Sequence, residues 1–160
     1  MAKESESATR SVTNIRMVAT EALRALFRAL REVDIIDRER YITLAVNLLT
    51  PIVNDPAVKR AFELSYENID IYSKHVGIEL PHDRDPKGFL SRCIDIYNQA
   101  RENPQTLEDY EKGVKTIIYC GMYLASSIRN ISARLASTAE EELLGGEGEE
   151  LGGGEESLEE

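Results

Sequence analysis

Apolar residues recur at steps of three and four along most of the chain, and this periodicity restricts the fold to packed helices. In the first long segment, about 11–33, the apolar stripe comprises Ile15, Ala19, Ala22, Leu23, Leu26, Leu30 and Val33. Residues at this spacing share one face of an α-helix. No segment shows the sustained alternation of a half-buried strand. The sequence therefore predicts an all-α fold, an antiparallel bundle of about five helices.

Capping residues and prolines indicate where the later helices begin and end. Either Asp34 or Asp37 is placed to cap the second helix, and Pro51 interrupts its last turn. The Asp-Pro pairs at 55–56 and 85–86 start the third and fourth helices, because proline fits the first helical position. The second to fifth helices are predicted over about 38–53, 56–76, 86–102 and 107–144.

Three residues inside these helices bear on packing. Gly121 lies in the middle of the fifth helix, where glycine lowers helix stability, and so favours the close approach of another helix. Cys93 and Cys120 each fall on an apolar face. The pattern predicts two buried, unreactive thiols.

The charge of the chain is concentrated at its C-terminal end. The net charge is −10, yet residues 1–139 hold 19 basic and 19 acidic residues, while residues 140–160 hold ten glutamates and no basic residue. Six of the ten glycines also lie in this last segment. Glycine disfavours helices and repelling carboxylates resist compaction, so we expect disorder there. The chain divides into a flexible N-terminus (1–10), a helical bundle domain (11–144) and a disordered, Gly/Glu-rich acidic tail (145–160).

The carboxylates of the acidic tail have two interpretations. They are Glu147, Glu149, Glu150, Glu155, Glu156, Glu159 and Glu160. In the first interpretation the tail only keeps the protein soluble. In the second it occupies a basic groove that would otherwise hold nucleic acid, or repels nucleic acid from a neighbouring subunit.

A basic stripe on the first helix is the other candidate site. Its residues, at spacings close to multiples of a turn, are Arg16, Arg24, Arg28 and Arg31. The simplest interpretation is a solvated face, paired with Glu21 and Glu32. The alternatives are contact with an acidic partner, with a nucleic-acid backbone or with the chain's own tail.

No pattern in the sequence requires an enzyme. The two histidines, His75 and His82, are not part of a metal-ligand set, and there is no phosphate-binding glycine loop or nucleophile elbow. We therefore expect no catalytic residue, no metal and no cofactor. No apolar run approaches the ~20 residues of a membrane span, and no secretory signal is visible, so we expect a cytoplasmic protein without a membrane partner.

The helical, neutral body and the tail sequence LGGEGEELGGGEESLEE from Leu144 onwards give the chain a specific likeness. It resembles the acidic-tailed small accessory subunits of crenarchaeal replicative B-family DNA polymerase holoenzymes. The 13 arginines against 6 lysines are compatible with a thermophilic archaeal source.

This resemblance implies a non-catalytic subunit that binds the catalytic DNA polymerase subunit beside a second small subunit. It also implies that DNA is affected only indirectly, through an acidic tail that restrains strand-displacement synthesis. Two alternatives remain open. One is a chaperone-like module that binds basic proteins through the tail, and the other is a small helical enzyme or ligand-binding protein with a solubilising tail.

Overall fold

The computed structural model describes the backbone of residues 2–131 and the side chains of residues 12–131. These residues form six α-helices and two single-turn 3-10 helices, with no strand between residues 2 and 131. The α-helices are α1 (Ala2–Arg31), α2 (Ile35–Leu49), α3 (Pro56–Ser65), α4 (Ile69–Val76), α5 (Pro86–Glu102) and α6 (Leu107–Arg129). The predicted all-α fold is confirmed. The predicted disordered tail, 145–160, lies outside the described residues.

Helix α6 is the centre of the bundle and packs between α1 and α5. Most residues from Val114 to Ile128 are buried. Gly121 of α6 faces Leu26 of α1, and Gly113 of α6 faces the Cβ of Ala100 on α5. A Cβ placed on Gly121 would lie 2.8 Å from the Leu26 Cδ1 atom, and one placed on Gly113 would overlap the Ala100 Cβ. The close approach predicted at Gly121 is therefore present, and Gly113 adds a tighter one.

The helix starts agree with the predicted caps. The Asp34 carboxylate accepts a hydrogen bond from the Asp37 N–H at 2.9 Å, which decides between the two predicted caps. Asp55 and Asp85 cap α3 and α5 in the same way, ahead of their prolines. The Thr106 hydroxyl accepts from the Asp109 N–H at 3.0 Å at the start of α6. Each side chain satisfies a backbone N–H that has no partner inside its helix.

The segment predicted as one helix over 56–76 is instead divided into α3 and α4. A 3-10 turn, Tyr66–Asn68, separates them. The Tyr123 hydroxyl donates a hydrogen bond to the Ser65 carbonyl. The Ile69 N–H, which would reach that carbonyl in a continuous helix, bonds the Tyr66 carbonyl. A side chain from α6 thus replaces one bond of the helical ladder and breaks the helix.

Three other helix ends differ from the prediction by four residues or more. α1 begins at Ala2 rather than about Ser11, whereas the flexibility expected for residues 1–10 stays a prediction. α2 ends at Leu49, because Pro51 has no N–H and the chain tightens into a 3-10 turn. α6 ends at Arg129, where the Asn130 N–H caps it, so the helix does not run without interruption to Leu144. Residues 132–144 lie outside the described residues.

The two cysteines are buried, as predicted, but they are not free thiols. Cys93 of α5 and Cys120 of α6 form a disulfide, with their Cα atoms 6.5 Å apart. The antiparallel packing of α5 and α6 brings these positions face to face. Since the residues are 27 apart in sequence, their spacing did not indicate the pairing.

No helix within residues 2–131 combines the length and apolar character that crossing a lipid bilayer requires.

Substitution of Gly113 tests the contact between α5 and α6. We expect Gly113→Ala to lower the free energy of unfolding by about 1 to 2 kcal/mol, because the backbones must separate despite the better helix propensity of alanine. Gly121→Ala is the matched control, since the end of the Leu26 side chain can rotate away, and its change should stay within about 1 kcal/mol. Urea unfolding followed by circular dichroism measures both. Equal losses in the two variants would contradict the close packing at Gly113.

Reduction of the disulfide should destabilise the protein. The bond closes a loop in the unfolded chain, and a loop of this length corresponds to about 3 to 4 kcal/mol of stability. Urea unfolding with and without a phosphine reductant measures the difference. The double variant Cys93→Ala, Cys120→Ala is the control and should not respond to the reductant. A parent chain that is equally stable under both conditions would show that the disulfide does not form.

Candidate interaction surfaces

The arginines of the basic stripe on α1 do not share one environment. The Arg24 guanidinium bonds the Glu21 carboxylate at 2.9 Å, so one predicted ion pair is confirmed. Arg28 lies over the Tyr41 ring, 5.9 Å from its centroid, and so faces α2. Arg31 is exposed in the last turn of α1. Glu32 accepts a hydrogen bond from the Asp34 N–H, so this carboxylate serves the turn after α1.

Two arginines of the stripe meet a third one from α6. Arg16, Arg24 and Arg129 line an open groove of about 470 Å³, which we call the arginine groove. The other residues around it are Thr13, Met17, Thr20 and Glu21. Arg129 was missed at the sequence level because it belongs to another helix, and only the antiparallel packing of α1 and α6 places it here.

An exposed apolar surface lies where α1 turns into α2. Its members, which we call the apolar corner, are Phe27, Leu30, Val33, Ile35 and Ile36. Val33 is 88% exposed and Ile36 is 69% exposed. The sequence placed Leu30 and Val33 on the inward stripe, and this was wrong: Leu30 is 38% exposed, and Val33 lies beyond the end of α1 at Arg31 and outside the core. Concentrated apolar exposure is typical of a surface that binds another protein.

A polar cluster holds the start of α2 against α6 and α5. The Arg38 guanidinium makes two hydrogen bonds to Glu111, at 3.1 and 3.0 Å. The Tyr110 hydroxyl donates to Glu39 at 2.7 Å, and Arg101 reaches the same carboxylate at 3.6 Å. Burial lowers the pKa of Arg38, but hydrogen bonds to Glu111 and Tyr110 outweigh it and raise the pKa overall. These contacts hold the first turns of α2, the helix whose first two residues, Ile35 and Ile36, belong to the apolar corner.

Tyr97 lies beside this cluster with its hydroxyl buried. The side chain is 4% exposed, and its hydroxyl has no hydrogen-bond partner among the described residues. The Arg101 guanidinium stacks over the ring at 5.2 Å from the centroid. Burial, followed by the charge of Glu39, raises the pKa of Tyr97 to about 12. The contribution of Tyr97 to the fold is therefore that of an aromatic ring.

The remaining polar features are exposed or structural. His82 contacts Asp70 at 3.2 Å on the surface, and Asp83 binds Arg92 at the same distance. Between residues 12 and 131, no group of three or more His, Cys, Asp or Glu side chains is arranged to hold a metal ion. Most of the tyrosines on the later helices lie in the core or at its margin. The seven tail carboxylates from Glu147 to Glu160 lie outside the described residues.

Comparison with protein-family models, curated proteins and solved structures found no match to this chain. The class of the protein is therefore defined by its own features, an all-α bundle with an apolar corner and an arginine groove.

Alkaline pH tests the environment of Tyr97. In the folded state the pKa of Tyr97 is above the ordinary value of about 10. As the pH rises, the hydroxyl therefore loses its proton first in the unfolded state. The free energy of unfolding should thus fall between pH 10 and 12, and Tyr97→Phe should reduce the loss between pH 9 and 11 by about 1 kcal/mol. At pH 7 the variant should be as stable as the parent, or up to about 1 kcal/mol more stable. Urea unfolding of the parent and of the variant at pH 7, 9 and 11 measures these differences. The same pH dependence in both proteins would contradict the burial of the Tyr97 hydroxyl.

Proposed function

We propose that this protein is a non-catalytic accessory subunit of a DNA polymerase holoenzyme. In this proposal the helical body binds the catalytic subunit, beside a second small subunit. The acidic tail limits strand-displacement synthesis and affects DNA only indirectly. The observation that carries the proposal is the segregation of charge, with a neutral body followed by ten glutamates and no basic residue in the last 21 positions.

The tail has the chemistry to oppose DNA binding. A polymerase holds DNA largely through contacts to phosphates, and these contacts depend strongly on salt. Carboxylates tethered beside that basic surface reach a high effective concentration and compete with the phosphates. A displaced single strand needs a basic path, and a nearby polyanion disfavours that path. The tail then weakens strand displacement more than it weakens primer extension.

The apolar corner supplies a surface by which the body binds the larger subunit. Phe27 and Leu30 are exposed beside Val33, Ile35 and Ile36. An apolar centre with a polar rim is the usual composition of a stable protein interface. Arg31 provides part of such a rim. This surface belongs to the rigid bundle, so partner binding does not require the tail.

The disulfide is compatible with a cytoplasmic protein of a thermophilic archaeon. Disulfides are rare in most cytosols, but intracellular proteins of hyperthermophilic archaea are rich in them. The Cys93–Cys120 bond therefore agrees with the proposed source and with the excess of arginine over lysine.

A reconstituted strand-displacement assay tests the function of the tail. The full chain is compared with a variant in which the seven tail carboxylates from Glu147 onwards are changed to Gln. We expect the variant to bind the polymerase equally well but to allow several-fold more displacement synthesis at low salt, with the difference shrinking as salt rises. Truncation before Gly145 should act in the same direction. Equal displacement by the parent and both variants at low salt would overturn the proposed role.

Partner identification uses the same full-length variants. The tagged parent and the tail-neutral variant are incubated with a thermophilic archaeal extract, and the bound proteins are identified. A B-family DNA polymerase captured by both supports the proposal, and Val33→Asp with Ile36→Asp should abolish that capture. Capture of basic proteins by the parent alone would instead indicate a chaperone-like module.

A further inference from the structure

We propose that the acidic residues 140–160, which are the tail and the five residues before it, bind back onto the arginine groove of the same chain. The groove is formed by Arg16 and Arg24 of α1 and by Arg129 at the end of α6. This inference does not depend on the identity of the partner, because it concerns two parts of one molecule. In the absence of a partner, the tail covers this groove.

The position of the groove along the chain is the first argument. Arg129 is the last residue of α6, and Ile131, where the described chain ends, is 1% exposed. The chain therefore continues from a point fixed beside the groove. Eight residues lie between Ile131 and Glu140, so their Cα atoms can be up to about 30 Å apart. The distance along α1 from Arg16 to Arg24 is only about 12 Å, so every part of the groove is within reach.

Charge complementarity is the second argument. Among the described residues, Glu21 is the one carboxylate on the groove, and it pairs with Arg24. No carboxylate in residues 12–131 lies within salt-bridge distance of Arg16 or Arg129. Residues 140–160 bring ten carboxylates and no positive charge. The groove thus has an excess of positive charge, and the tail has the matching excess of negative charge.

Three other arginines of the bundle already have a carboxylate partner and are less suitable for the tail. Arg38 is 12% exposed and bonds Glu111, Arg92 bonds Asp83, and Arg101 reaches Glu39. Each of these side chains has a carboxylate from the bundle beside it. The arginine groove is the favoured site for a polyanion attached at residue 131, because Arg129 lies two residues before that point and because neither Arg16 nor Arg129 has a carboxylate of the described residues within salt-bridge distance.

Each ion pair between the tail and the arginine groove is weak, and the contact is maintained because both belong to one chain. An exposed ion pair contributes a factor of about two to five in an equilibrium constant. A short flexible connection gives an effective concentration in the millimolar range. We therefore expect a dynamic association that exchanges rapidly and weakens when salt is added.

Paramagnetic relaxation in the full-length chain measures this contact. A nitroxide is attached through Ser157→Cys, while Cys93 and Cys120 are buried and bonded to each other and do not react. We expect selective broadening of the backbone amides of residues 13–24 and 129 relative to those of α5. The broadening should be lost at high salt. Uniform or absent broadening, or broadening centred on α5, would overturn the proposal.

A charge-neutralised groove provides the specificity test. The triple variant Arg16→Gln, Arg24→Gln, Arg129→Gln removes three exposed charges and should lower the equilibrium constant for the contact about tenfold. Its matched control, Lys59→Gln, Lys87→Gln, Lys115→Gln, makes the same change in net charge at exposed positions away from the groove. Equal loss in both variants would overturn the proposal, because it would show a non-specific field effect.

A mixing experiment separates contact within one chain from contact between chains. Spin-labelled chain without isotope is mixed with unlabelled ¹⁵N chain. The proposal expects no broadening of α1 amides in this mixture. Broadening as strong as in the chain that carries both the nitroxide and ¹⁵N would show that the tail binds a second copy. This result would overturn the proposal of contact within one chain.

Discussion

The close approach of α6 to its two neighbours is the constraint on which the other features depend. Gly113 and Gly121 lack the Cβ atoms that would keep Ala100 and Leu26 away, and so the central helix is buried along most of its length. Because α6 is held this tightly, its two ends have defined surroundings. Glu111 meets Arg38 near one end, and Arg129 meets α1 at the other. The arginine groove is a consequence of this packing.

The helix starts could be predicted because they depend on residues that are close in sequence. The helix break and the helix face that were predicted wrongly depend on contacts between distant parts of the chain. Asp55, Asp85 and Thr106 cap their helices through side chains only two or three residues from the N–H groups that they bond. The break after Ser65, in contrast, depends on a hydroxyl from Tyr123, 58 residues away. Periodicity could assign a face to Leu30 and Val33, but it could not show whether a neighbour covers that face.

The candidate sites likewise include features that lie within one helix and features that depend on how the helices pack. The basic stripe on α1 was visible because its members share one helix. The third arginine of the groove and the pairing of Cys93 with Cys120 were not, because both depend on which helices pack together and in which direction. The arginine groove ends at Arg24 and the apolar corner begins at Phe27, less than one turn further along α1. The two surfaces are therefore neighbours on this helix.

The disulfide determines which part of the bundle unfolds first. It closes a covalent ring from Cys93 to Cys120, which contains α5 from Cys93 onwards, the connection after it and α6 as far as Cys120. Helices α1 and α2 have no such bond and are held by side-chain packing and by the Arg38–Glu111 contact. Partial unfolding that leaves the bond intact therefore begins on the α1–α2 side, with the ring as the persistent part. In hydrogen exchange, the most slowly exchanging amides then belong to α5 and α6.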